Sequence, residues 1–154
     1  MEFGDDLAMP LLKMPPITVR TEMKGQKKYI FDIVRKKMVV LTPEEWVRQH
    51  VIHYLVHESE VPLGQIAVES GMKVNRMSKR TDLQVFKNGK PTLLVECKAP
   101  EVIMNDKVLA QALRYNLKVS ASLVMLTNGI RSALCVVKES GTEYLEKLPT
   151  YAHW

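Results

Sequence analysis

The sequence predicts an α/β domain, a mixed β-sheet flanked by helices, and three observations predict it. A helix-start signature at Thr42 precedes an apolar helical stretch. Three strand-like segments follow, the last two joined by the hairpin dipeptide Asn88-Gly89. A second helix start at Asn105 then leads into two short apolar runs. Helices and strands alternate along the chain, so they must pack as layers around one sheet.

In chain order, residues 1–27 read as an extended arm; Met1 to Pro16 is apolar but irregular and holds three prolines. Tyr29 to Leu41 is rich in β-branched and aromatic residues and should contain strand. Thr42 is a good N-cap, Pro43 suits the first helical position, and Glu45 completes a capping box; the helix should run to about Glu58. Gln65 to Asn75, Lys79 to Phe86 and Thr92 to Ala99 read as three strands. The helix capped by Asn105 should reach about Lys118, and Ser122–Thr127 and Ala133–Val137 read as strands. Residues 140–154 are a tail to which no element is assigned.

A chain of 154 residues suggests a single domain over 1–154, long enough to bury roughly 70% of its unfolded surface. Hydrophobic residues make up 46% and charged residues 25%, ordinary for a globular chain. No apolar run approaches the ~20 residues of a membrane span, and the acidic start does not resemble a secretory signal. Two cysteines without a CxxC motif give neither a disulfide framework nor a zinc site, so a reducing cytoplasm is the expected location. The net charge of +5 favours a polyanionic partner, nucleic acid being the commonest.

The strand Thr92–Ala99 carries the chemistry. Leu94, Glu96 and Lys98 share one face, and a Glu and a Lys two apart on an apolar strand need partners. For an isolated ExK, a surface ion pair is the ordinary explanation. The hairpin decides whether Asp82 joins them. A two-residue loop at Asn88-Gly89 sets Asp82 opposite Val95 and puts it on the other face from Glu96. A three-residue loop, Lys87-Asn88-Gly89 with Gly89 left-handed, brings Asp82 opposite Leu94 with Glu96 as its diagonal neighbour. In that register two carboxylates and an ammonium converge. Pro91 is tolerable there if its strand lies at an edge. Paired carboxylates repel, and a hard divalent cation such as Mg²⁺ relieves the repulsion while leaving room for phosphate oxygens. Lys98 beside it suits the orientation or deprotonation of water and the stabilisation of a pentavalent phosphate.

On the first helix Val47, Val51, Tyr54 and Leu55 form the apolar face, with Glu44 inside that arc and Glu45 nearer its edge, so Glu44 is the better sheet-facing acid. His50, His53 and His57 share a stripe with Trp46 and read as a wet helix face. Gln111 and Tyr115 are four apart and share a face of the second helix. Lys79 and Arg80 stand before Asp82, with Arg80 on the face of Asp82 and suited to meet a phosphate.

The segments KYIFDIVRKKMVVLTPEEWVRQHVIHYL, SKRTDLQVF, LLVECKAP and QALRYN, in that order, resemble the N-terminal nuclease domain of type I restriction enzyme R subunits, and more closely the small stand-alone proteins of that family. The resemblance spans about Lys28 to Lys138. It implies a restriction-endonuclease-like fold of the PD-(D/E)XK type and Mg²⁺-dependent DNA cleavage; Mn²⁺ is an alternative cation for the paired acids. It assigns Asp82 and Glu96 as metal ligands, joined by the main-chain carbonyl of Cys97, and Lys98 as the catalytic lysine. It also implies an acid of the Glu44-Glu45 pair as the helix acid, and Gln111 and Tyr115 as a QxxxY motif. No GxxxxGK[ST] occurs, so the ATP-driven motor of R subunits is not expected here. The competing expectations are a fold that grips nucleic acid without cutting, and a structural partner of other restriction-system subunits.

Overall fold

A computed structural model describes residues 9–68 and 82–154. A three-stranded antiparallel sheet comes first, built of β1 (Thr21–Lys24), β2 (Lys27–Asp32) and β3 (Lys37–Val40) in that order. The arm therefore contains a strand, and the apolar run after Tyr29 is two strands rather than one. They are joined by a turn whose Lys36 adopts a positive φ of 55°. Asp32 builds that turn: its Oδ1 accepts the amides of Val34 and Arg35, each at 2.8 Å.

The helix α1 (Pro43–His57) follows. Thr42 caps it by accepting the Glu45 amide at 3.0 Å. Only this half of the expected capping box forms, because the Glu45 carboxylate turns to arginines instead.

A six-stranded sheet carries the rest. Its order is β4 (Ile66–Val68), β5 (Leu83–Lys87), β6 (Lys90–Cys97), β7 (Leu123–Thr127), β8 (Ser132–Lys138) and β9 (Gly141–Leu145). Among the described strands only β6 and β7 pair in parallel, and the crossover between them is α2 (Asp106–Val119). Asn105 caps α2 by accepting the Val108 amide at 3.0 Å. The tail assigned no element supplies β9 and a short 3₁₀ turn at Tyr151–His153. That turn docks back on the β5–β6 hairpin, where the Tyr151 hydroxyl donates to the Phe86 carbonyl at 2.9 Å.

The two helices take opposite faces of the large sheet. Alternation along β6 sends Leu93, Val95 and Cys97 into a cluster with Val47, Val51, Ile52 and Leu55 of α1. Leu94 goes the other way, to Ala112 of α2 and Val124 of β7. Ile30 of β2 joins the α1 cluster, so α1 is covered on both sides. His50 and His53 are consequently buried, at 5% and 7% exposure, and the expectation of a wet histidine face is corrected. The arm closes that side, with the Trp46 indole donating to the Pro10 carbonyl at 2.9 Å. Leu12 further along the arm lies against Gly129, whose φ of +83° suits glycine and where a Cβ would meet the leucine at 2.8 Å. This arrangement is the α/β, restriction-endonuclease-like class expected: a mixed sheet with helices packed on it.

Candidate active site

The site begins with the register of β5 and β6. Lys87 pairs with Lys90, so the loop is the two residues Asn88-Gly89, with φ values of 53° and 75° suited to a type I′ turn. The expected three-residue loop is thus corrected. The register shifts further down, where Phe86 faces Pro91 but Val85 faces Leu93, leaving Thr92 as an extra residue on β6. Beyond that bulge Leu83 faces Val95. One step further, Asp82 comes opposite Glu96 rather than diagonal to it. The bulge does what the longer loop was expected to do. Pro91 sits beside the bulge and before pairing with β7 begins at Leu93, which is why an interior strand accepts it.

Asp82 is 8% exposed and lies in a bend just before β5. Its Oδ2 accepts the Cys97 amide at 2.6 Å, taking the place of the next ladder bond. Its Oδ1 accepts from Arg48 Nη2 of α1 at 2.5 Å. The same Nη2 donates to Glu44 Oε1 at 2.7 Å, and Arg48 Nη1 donates to Glu45. Lys98 pairs with Glu96 at 2.9 Å, and its own amide extends the parallel ladder to the Thr127 carbonyl at 2.8 Å.

Electrostatics tie these groups into one cluster. Burial and then the charge of Asp82 raise the Glu44 pKa, against the opposing pull of Arg48 and Lys98. For Lys98, burial works against the charge, but the hydrogen bond and charge of Glu96, with Asp82 and Glu44 behind, prevail and raise its pKa. Arg48 is likewise held charged: Asp82 and Glu44 outweigh its burial. Cys97 is fully buried, and burial pushes its thiol well above the usual range, so the sulfur is a core group.

The two helix acids part company. The Glu44 side chain is 47% exposed and Glu45 only 5%, so the helical phase that put Glu44 inward is corrected. Glu45 points to the layer of β2 and β3, where it accepts from Arg35, which also donates to Asp32 Oδ2 at 2.7 Å. Gln49 Nε2 donates to the same Asp32 oxygen at 2.9 Å. Asp32 keeps a lowered pKa because the Arg35 amide, Gln49 and the Arg35 guanidinium overcome its burial. Glu44 is the acid that feels the charge of Asp82 and helps keep Lys98 charged.

Not every expected residue arrives. Gln111 is exposed on α2, and Tyr115 packs half-buried against the cluster of Leu94 and Val124. Among the described residues neither makes a hydrogen bond to the acids. Lys79 and Arg80 lie outside the described residues. Among the described residues, no three His, Cys, Asp or Glu side chains gather closely enough to hold a metal by themselves. Of the expected acids, Asp82 and Glu44 are joined through Arg48, and Glu96 is paired with Lys98. Sequence reasoning missed Arg48, Asp32, Arg35 and Gln49. The signal was Asp32, an acid inside an apolar strand, together with Arg48 one turn after both helix acids.

A sequence profile of the family described as type I restriction enzyme R protein N terminus matches residues 43–150. No curated protein and no solved structure matches the chain.

Proposed function

The chain belongs to the family of type I restriction enzyme R protein N-termini, and from that premise we propose that it is a metal-dependent DNA endonuclease. The observation that carries the reading is the convergence of Asp82, Glu96 and Lys98 at the adjoining ends of β5 and β6. An acid held beside an ammonium at a strand end, with a second acid directly across, is a costly arrangement for a core and a useful one for phosphate chemistry.

The donor chemistry fits Mg²⁺ or Mn²⁺. All side-chain donors are carboxylate oxygens, and these acids already rely on two cations, Arg48 and Lys98, for neutralisation. Asp82 and Glu96 are the residues to hold the ion, with the Cys97 carbonyl beside them. When bound, such an ion supplies a Lewis acid for a phosphate oxygen and lowers the pKa of its water. Lys98 contributes fixed positive charge beside Glu96, aimed at the charge that develops on phosphorus oxygens. Glu44, at the N-terminal turn of α1, extends the acidic wall on the side of Asp82. Lys79 and Arg80, just ahead of Asp82 in the chain, are proposed to meet backbone phosphates. DNA and other subunits of a restriction system are the proposed partners.

Plasmid cleavage with Mg²⁺, with Mg²⁺ plus EDTA, and with Lys98→Ala tests this. Nicking or linearisation should require the metal and vanish in the variant. Cleavage that persists in Lys98→Ala or in EDTA sinks the assignment. The hold of Arg48 on Asp82 favours one second reading, a module that grips nucleic acid without cutting it; DNA binding with no cleavage at any Mn²⁺ concentration would establish it.

A further inference from the structure

Three acids from two elements converge on one side chain. Arg48 Nη2 bridges Asp82 at 2.5 Å and Glu44 at 2.7 Å, while Nη1 holds Glu45. The arginine side chain is only 15% exposed, so these contacts are weakly screened. The two oxygens of Asp82 have unlike partners. Oδ2 is tied to the Cys97 amide, a main-chain group fixed by β6. Among the described residues, Oδ1 is held only by a long side chain that has two other acids to keep it. Glu45 is further anchored by Arg35. Arg48 can thus release Asp82 and lose one charge-assisted bond without being stranded as a buried charge.

We propose that Arg48 is a built-in counter-cation for Asp82, holding the carboxylate ready in the free protein and yielding its Oδ1 to an incoming divalent cation. This rests on the metal-dependent reading above. Arg48 is then a positioning residue whose hold on Asp82 competes with the metal. Arginine suits the role because its fork serves several oxygens at once, which a lysine ammonium at the same stem length does not.

Calorimetric titration of the full chain with Mn²⁺, and separately Mg²⁺, tests the competition. The proteins are the wild type, Arg48→Gln, Arg48→Lys and Asp82→Asn, each checked for folding by circular dichroism. Both Arg48 variants should bind Mn²⁺ more tightly than the wild type, Arg48→Gln by roughly tenfold, the scale of one charge-assisted hydrogen bond removed from competition. Asp82→Asn should lose binding. The lysine variant keeps the charge and decides the matter if Arg48→Gln fails to fold. Wild-type affinity in Arg48→Lys beside tighter binding in Arg48→Gln would reduce the effect to a general field and overturn displacement. Equal or weaker binding in both variants overturns it too, while leaving the metal reading intact. Binding that survives Asp82→Asn places the cation elsewhere and also overturns it. If no protein of the set, wild type included, binds either cation, the metal-dependent reading itself fails.

Discussion

At the scale of single residues, neighbouring glutamates on one helix turn do different work. Glu45 is buried between two arginines, whereas Glu44 is half in solvent. Glu45→Gln should therefore cost roughly 3 kcal/mol of stability, because Arg35 and Arg48 lose a buried partner. Glu44→Gln should stay within about 1 kcal/mol. Urea unfolding of both variants checks the order, and a larger loss in Glu44→Gln contradicts it. The histidines give a second prediction. Burial lowers the pKa of His50, and burial with the charges of His57 and His50 lowers that of His53. Above a pH of about 6.5, the ordinary value, both rings are neutral folded or unfolded, so the full stability is present. As pH falls through that value the unfolded chain takes protons first, and stability is lost. Asp32, with its lowered pKa, loses its contribution only at more acidic pH. Melting temperature should drop between pH 7 and pH 5 by roughly 3 °C or more, and His53→Gln should flatten that drop. An unchanged profile in the variant assigns the titration elsewhere.

At the scale of elements, a turn and a bulge together place the site. The type I′ turn alone would put Asp82 opposite Val95. Thr92 adds the residue that brings Glu96 there instead. Gly89 has a φ of +75° with nothing near its Cβ position, so a bulkier residue is opposed by backbone strain alone. Gly89→Val should cost about 1 kcal/mol or more in chemical denaturation. Deletion of Thr92 should be far worse. It swaps the faces of Leu93, Val95 and Cys97, which now fill the α1 cluster, and the chain should lose its cooperative unfolding transition. A deletion variant that melts sharply at the wild-type temperature would mean the bulge does not set the register.

Across the whole molecule the net charge is +5 although the candidate site holds several acids, a balance that favours a polyanionic partner. No helix among the described residues is long and apolar enough to cross a membrane. Duplex DNA affinity should fall steeply between low and physiological salt as neutralised phosphates release counterions. Arg80→Ala should flatten the logarithmic slope by about one unit, the signature of one phosphate contact. Fluorescence anisotropy in Ca²⁺, at several salt concentrations, measures both. Affinity that does not change with salt removes the physical basis of the DNA reading.

The sequence by itself determined what depends on a few neighbouring residues. Thr42 and Asn105 start their helices through their own side chains. Alternation along Leu93–Cys97 separates two cores, and Glu96 stands out as a charge in an apolar strand, with Asp82 just ahead of another. Tertiary structure decided what depends on a second packing surface. Periodicity in α1 reports the face toward the large sheet, but β2 and the arm bury its other side, so Glu45, His50 and His53 end up inside. The bulge at Thr92 has no local signature, because either register satisfies the turn, and the choice is made by which face of β6 fills the α1 core. Arg48 stands one turn after Glu44 and Glu45, and nothing local in the sequence points it at Asp82. Its tie to Asp82, 34 residues away in the chain, exists because the fold brings the first turns of α1 to the start of β5 and largely buries both side chains.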